Sequence, residues 1–310
     1  MTFGLQCDEE ASFAILDRAA AGGVTFLDTA DVYPLGGDLT TVGRTEEIVG
    51  TWLRGRREQF VVATKCFGPM GPHRWDAGNS RRHIMDAVDA SLRRLQTDWI
   101  DLYQLHFNDP NTPIDETLGA LDDLVRVGKV RYVGCSNFLA YQLARALGRS
   151  EVRGLARFES VQPRYNLLFR EFEREMFPLC LDEGVGVIPY NPIAGGLLSG
   201  KYDRSQPPVE GTRFTLGTAG PMYQDRYWHD NVFDTVDQLT KVADEAGLPL
   251  PTLAVAWVLA HPAITSAIVG ASRPEQLDAT LAAVETTLDD DLLERLNDLT
   301  AGYRRGDAPR

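Results

Sequence analysis

The chain has 310 residues, 44% of them hydrophobic and 24% charged, which supplies enough apolar side chain for a large core and excludes a disordered polypeptide. Its formal net charge of −13 opposes binding to phosphate backbones or anionic lipid, so neither nucleic acid nor a membrane is an expected partner. That total still leaves room for a local basic pocket holding a phosphorylated cofactor, because short contacts are poorly screened.

No stretch offers about 20 uninterrupted apolar residues, and the start MTFGLQCDEE lacks the basic and then apolar pattern of a leader. Cys7, Cys66, Cys135 and Cys180 form no C-x-x-C pair and lie mostly in apolar stretches. That usage predicts buried thiols in a reducing compartment, and a cytoplasmic protein is the expectation.

In chain order, residues 9–23 carry Phe13, Ile15, Leu16 and Ala19 on one helical face, with Gly22 or Gly23 placed to cap the C-terminus. Short apolar runs follow at 24–28, 60–65, 100–106, 130–137, 159–162, 184–191 and 266–270, each closing on polar residues or glycine. Several are apolar almost throughout, as in a parallel sheet covered by helices. The segments RRHIMDAVDASLRRLQ and PIDETLGALDDLVRVGK between them have helical spacing.

Repeated strand and helix units predict an α/β fold closed into a (β/α)8 TIM barrel, a single domain over 1–310. A doubly wound open sheet is the alternative, but no G-x-G-x-x-G follows an early strand. Residues 203–229, rich in Pro, Gly and aromatics, read as a long lid loop. A C-terminal helix is expected near Leu292, and the tail ends in AGYRRGDAPR, whose last residues are expected to be mobile. Only MTFG precedes the first helix, so the first strand is expected to be short or truncated.

Polar groups at the C-terminal ends of barrel strands face the mouth where chemistry occurs. Asp28 closes VTFLD, Tyr33 follows in TADVYP, Lys65 closes FVVATK and His106 closes DLYQLH. Taken singly, each has a bland reading, as a cap, a packing tyrosine, a snorkelling lysine or a satisfied core histidine. Together they form a proton-transfer set. A lysine after Val61, Val62 and Ala63 needs a carboxylate partner, and a phenol near that ammonium should titrate below its usual value of about 10. A neutral imidazole would then polarise a carbonyl oxygen. No metal-ligand set is visible.

The segments FLDTADVY, GRTEEIVG, ATK, LYQLH, GCSN, VQPRYN and IPYNPIAGGLLSGKY resemble the motifs of the aldo-keto reductase family, in order and over nearly the whole chain. The resemblance implies that Asp28, Tyr33, Lys65 and His106 are a catalytic tetrad with Tyr33 as proton donor. It also implies reduction of aldehydes or ketones by NADPH, with a small-molecule carbonyl compound as substrate. Histidine at 106 favours carbonyl reduction, since family members that reduce a steroid carbon-carbon double bond carry glutamate there.

For the nicotinamide the resemblance implies Ser136, Asn137 and Gln162, with Tyr190 as the aromatic platform. Ser136 and Asn137 also read as a helix N-cap pair. Asn191, Pro192, Ile193, Ala194, Gly195, Gly196 and Leu197, with Ser199 and Lys201 beyond, resemble the phosphate-side loop, and Arg213 adds a charge. Gly270, Ser272, Arg273 and Gln276 resemble adenosine-phosphate contacts, with Arg273 suited to a 2′-phosphate. Thr280 stands where the family often has asparagine. Trp75, Tyr223, Tyr227 and Trp228 are candidate pocket walls or ordinary packing aromatics. Potassium-channel β-subunits resemble the same family, so a non-enzymatic or slow NADPH-binding sensor is the competing expectation, and a sugar-derived substrate is a further one.

Overall fold

The computed structural model describes residues 1–307 and is organised as two compact units, Met1–Gln162 and Pro163–Arg310. In the first unit, helix α1 (Glu9–Ala21) starts at Asp8, whose side chain accepts from the Ala11 amide, and ends at the expected Gly22. Strand β1 (Phe26–Asp28) leads through a loop to α2 (Arg44–Trp52). There follow β2 (Val61–Cys66), α3 (Arg81–Leu95), β3 (Ile100–Leu105), α4 (Ile114–Arg126), β4 (Val130–Ser136), α5 (Ala140–Arg153) and β5 (Phe158–Gln162). The five strands pair in sequence order and all run parallel.

Parallel pairing puts every strand's C-terminus on one edge. Asp28 is level with Ala63, Lys65 with Gln104, Leu105 with Cys135, and Ser136 with Gln162. Alternation divides the two faces. Thr64 turns outward, donating to Glu46 Oε1 of α2 at 2.6 Å, while Arg94 Nε of α3 meets Glu46 Oε2 at 2.7 Å. Glu46 is fully buried, so this ion pair ties α2 to both β2 and α3. Lys65 turns to the opposite face, toward Asp28.

The second unit contains α6 (Met176–Glu183), β6 (Gly186–Val187), α7 (Gly220–Tyr227), α8 (Asp230–Glu245), α9 (Leu250–Ala260), α10 (Gln276–Leu281) and α11 (Asp290–Leu299). Six strands are regular among the described residues, fewer than a closed ring of eight. The predicted run 266–270 survives as isolated parallel bridges, Val187 to Ile264 and Tyr190 to Ile268, and Arg164 bridges Tyr190. Pro189 lacks the N–H a ladder needs, so the 186–190 segment pairs by single bonds such as Ile268 N to Pro189 O. Among the described residues no single helix is long and apolar enough to cross a membrane.

One expectation changes here. Segment 203–229 is not a continuous loop: it holds short 3-10 turns at 213–215 and 217–219 and helix α7. Phe214, Tyr223 and Tyr227 are buried, and Trp228 packs edge-on against Phe214, Tyr202 and Phe233, which makes this an aromatic cluster. The tail is tied down as far as Asp307. Tyr303 is buried, Arg304 pairs with Glu173 at 2.9 Å, and Asp307 with Arg164 at 2.5 Å. Residues 308–310 lie outside the described residues.

Helices α2 and α3 touch at Gly50, where a Cβ would collide with the Arg94 carbonyl oxygen and lie 2.7 Å from Leu95 Cα. Gly50→Ala is expected to part the two helices and lower unfolding free energy by about 2–3 kcal/mol, read from urea denaturation.

Candidate active site

Lys65 is wholly buried, and its Nζ lies 2.6 Å from Asp28 Oδ2 and 2.7 Å from the Thr29 carbonyl oxygen. Asp28 keeps only 7% of its side chain exposed. Its second oxygen, Oδ1, accepts from Gln162 Nε2 at 2.9 Å and Gln104 Nε2 at 3.1 Å. A buried carboxylate needs this many donors, since each missing one leaves a desolvated lone pair. Gln104 is thus a member of the site that sequence reasoning missed. The available signal was its position two residues before His106, on the same strand face.

Tyr33 sits in the loop between β1 and α2, nearly buried, with Lys65 Nζ 5.5 Å from its ring centroid. That loop is anchored by backbone bonds from Asp31 N to Lys65 O and from Gly43 N to Tyr33 O, both 3.0 Å. The Tyr33 ring meets His106 edge-on, centroids 5.7 Å apart. Lys65 and His106 therefore both approach the Tyr33 ring, and Asp28 joins them through Lys65, all within one unit.

Burial, reinforced by the Lys65 charge, pushes the His106 imidazole down to about 3. At any working pH it is neutral, so the ring brings no charge to this face. Its main chain is fixed: His106 N donates to Cys66 O at 2.9 Å, and Asn137 Nδ2 donates to His106 O at 3.0 Å.

Behind this face lies a second group outside the sequence reading. Asp31 is fully buried, and neither carboxylate oxygen has a well-formed hydrogen bond. Burial, and next the neighbouring Glu46 charge, push its pKa well above the usual carboxylate range. With Lys65 matched to Asp28 and Arg94 to Glu46, Asp31 is the odd carboxyl of the group.

Ser136, Asn137 and Gln162 come together at the ends of β4 and β5. Ser136 Oγ donates to Gln162 O at 2.7 Å, and Asn137 Nδ2 to Ser136 Oγ at 3.0 Å. Helix α5 begins only at Ala140, so they do not cap it. In the second unit, Asn191 Nδ2 and Asn166 Nδ2 both donate to Tyr227 OH, at 2.9 and 3.1 Å, and Gly195 N donates to Asn191 Oδ1 at 2.5 Å. These bonds hold residues 190–195 in a fixed turn, with Gly195 and Gly196 at φ 69° and 98°. Pro192, Ala194 and Leu197 are buried in it, Ile193 O accepts from Gly196 N, and Ser199 Oγ donates to Gly196 O.

Ser272 and Gln276 meet, Ser272 N donating to Gln276 Oε1 at 2.8 Å. Gly270 is exposed with open space where a Cβ would stand, while Thr280 is buried and donates to Leu277 O. Partial burial and the Arg273 charge lower the Lys201 ammonium's pKa. Lys201, Arg213 and Arg273 have no carboxylate partner among the described residues, and Arg213 Nη1 is buried without any hydrogen bond. Lys201 lies over the Tyr202 ring at 5.0 Å and Arg213 over the Tyr223 ring at 5.5 Å.

The His106 shift carries a stability consequence. Above pH 6.5 the ring is neutral folded or unfolded. Between 6.5 and about 3 the unfolded chain takes a proton that the folded one refuses, so stability falls with pH. Between pH 7.5 and 5.0 the wild type is expected to lose about 2 kcal/mol more than His106→Gln in urea denaturation. Other buried histidines cancel in that difference.

A model described as the aldo/keto reductase family matches residues 1–301. Among curated relatives, "Uncharacterized oxidoreductase YrpG" of Bacillus subtilis (strain 168) is 39% identical over 97% of this chain and 90% of its own length. "Probable voltage-gated potassium channel subunit beta" of Arabidopsis thaliana is 36% identical over 92% and 85%. "Versiconal hemiacetal acetate reductase" of Aspergillus parasiticus is 33% identical over 95% and 88%. With its strand-end ion pair, its neutral histidine and this match along almost its full length, the chain belongs to the aldo/keto reductase family.

Proposed function

We propose that this protein is an NADPH-dependent oxidoreductase that reduces aldehydes or ketones to alcohols, with Tyr33 as the proton donor. The observation that carries the reading is the buried Lys65–Asp28 pair beside the Tyr33 ring, with a neutral His106 against the same ring. A reduced nicotinamide, when bound, supplies hydride to the carbonyl carbon. Tyr33 gives its phenolic proton to the carbonyl oxygen, and the Lys65 ammonium offsets the negative charge left behind. Asp28, held by Gln104 and Gln162, fixes that ammonium in place. His106 orients the carbonyl by a neutral hydrogen bond.

In this reading Ser136, Asn137 and Gln162 hold the carboxamide and Tyr190 backs the ring. The turn 191–197, Ser199, Lys201 and Arg213 take the pyrophosphate, and Gly270, Ser272, Arg273, Gln276 and Thr280 the adenosine phosphate side. The unmatched cations support the assignment. The reading includes one closed (β/α)8 domain in the cytoplasm.

A second reading is favoured by the identity to the Arabidopsis thaliana protein named as a channel subunit: a slow NADPH-binding sensor. Steady-state NADPH oxidation with an aldehyde and ketone panel separates the two. The reductase reading expects turnover that Tyr33→Phe lowers at least about 100-fold while NADPH still binds. Tight NADPH binding with no turnover across the panel would hand the case to the sensor. Arg273→Ala is expected to weaken NADPH binding about tenfold or more and NADH binding far less, measured by fluorescence titration.

A further inference from the structure

The second unit holds a cavity of about 190 Å³ between residues 165–173, the end of α9, helix α11 and the turn 301–305. None of the residues lining it belongs to the tetrad or to those proposed for the cofactor. A water takes roughly 30 Å³ of the liquid, and drug-sized sites run to about 300–1,000 Å³. This space therefore suits a small metabolite rather than a dinucleotide or a peptide.

The lining divides by chemistry. Trp257 stacks on Tyr165 with centroids 5.1 Å apart at 28°, and Leu293 and Pro262 add aliphatic surface. Glu173 is the one carboxylate among the lining residues, and its oxygens are already engaged. Oε1 accepts from Tyr165 OH and Arg170 Nε, both at 2.7 Å, and Oε2 from Arg170 Nη2 at 3.0 Å and Arg304 Nε at 2.9 Å. Two guanidiniums against one carboxylate leave a single positive charge in excess. What remains unused is a set of donors. Asn297 Oδ1 accepts from Trp257 Nε1 at 3.2 Å, which leaves the Asn297 amide hydrogens. His261 Nδ1 accepts from Ala263 N at 3.2 Å, and burial lowers the pKa of that imidazole, so near pH 7 the ring is neutral with its proton on Nε2. Arg304, with 51% of its side chain exposed, spends only Nε on Glu173 and makes no bond through its terminal nitrogens among the described residues.

We propose that this cavity is a binding site for a small monocarboxylate with a flat apolar body, such as an aromatic acid, whose carboxylate is held by Arg304 and Asn297. A carboxylate matches the planar fork of the guanidinium and cancels the one positive charge in excess. The apolar body leaves water against Trp257, Pro262 and Leu293. A doubly charged ion such as phosphate overshoots that charge beside Glu173 and brings no apolar surface, and a cation finds its counter-charge already taken. Trp257 belongs to α9, Asn297 to α11 and Arg304 to the turn 301–305, so the occupant bridges all three and stabilises the folded end of the chain.

The test is titration calorimetry of the whole chain with sodium 4-bromobenzoate, in wild type, Arg304→Ala and Leu293→Trp, with melting temperatures to confirm folding. 4-Bromobenzamide and inorganic phosphate serve as comparison ligands, and the anomalous scattering of bromine in a soaked crystal locates the acid. A bromine peak beside Trp257 is expected. The neutral amide and phosphate should each bind the wild type about tenfold or more weakly than the acid. Arg304→Ala, which removes the terminal nitrogens, and Leu293→Trp, which fills the cavity, should each weaken the acid by about tenfold or more. If only one of the two variants folds, that one decides. Affinity indifferent to the substitutions, a bromine peak only at the tetrad, or amide or phosphate binding as tightly as the acid would overturn the site. Density in the soaked crystal with no binding in solution would overturn it equally.

Discussion

A lysine with no solvent exposure has to find its counter-charge inside the protein, and Lys65 finds it in Asp28. Further bonds support the pair: a backbone carbonyl takes a second lysine proton, and two glutamine amides cover the far carboxylate oxygen. Those groups come from β1, β2, β3 and β5, so a slip of one strand by a single residue would turn its contributor to the wrong face. Losing one partner of such a pair leaves a buried charge, a defect that typically costs 3–5 kcal/mol. Strand register and reactive geometry are thus a single constraint.

Much of this was legible because the chain is punctuated by strand ends. Asp28, Lys65 and His106 each close an apolar run, and parallel pairing carries such closures to the same edge whatever the helices between them contain. Gln104 escaped because inside IDLYQLH it reads as one polar residue in a strand. Only its phase relative to His106 betrays it. Glu46 and Asp31 escaped for a different reason. Acidic residues in a loop and a first helical turn ordinarily face water, and the burial of Glu46 depends on Arg94, 48 positions away. No local pattern encodes that contact.

Long-range pairing also explains the tail and the 203–229 segment. RRGD looks like a solvated end, yet Arg304 and Asp307 reach Glu173 and Arg164 across 131 and 143 positions. Proline and glycine disguised 203–229 as a loop, whereas its rings cluster around Phe214, which is fully buried. The closed ring of eight strands was the expectation least supported, since a proline and single bridges replace the ladder near 186–190.

The unmatched cations Lys201, Arg213 and Arg273 sit in a molecule whose overall charge is strongly negative. Seen from afar, beyond a Debye length of about 8 Å at physiological ionic strength, the protein repels a polyanion, and only within reach of these side chains does the force reverse sign. For the anionic cofactor of the proposed reading, added salt therefore has opposite effects on the two stages of capture. It quickens arrival by muting the distant repulsion and shortens residence by loosening the final grip. In the proposed cofactor reading, such a molecule trades speed of encounter for discrimination, favouring anions that penetrate to the cations themselves.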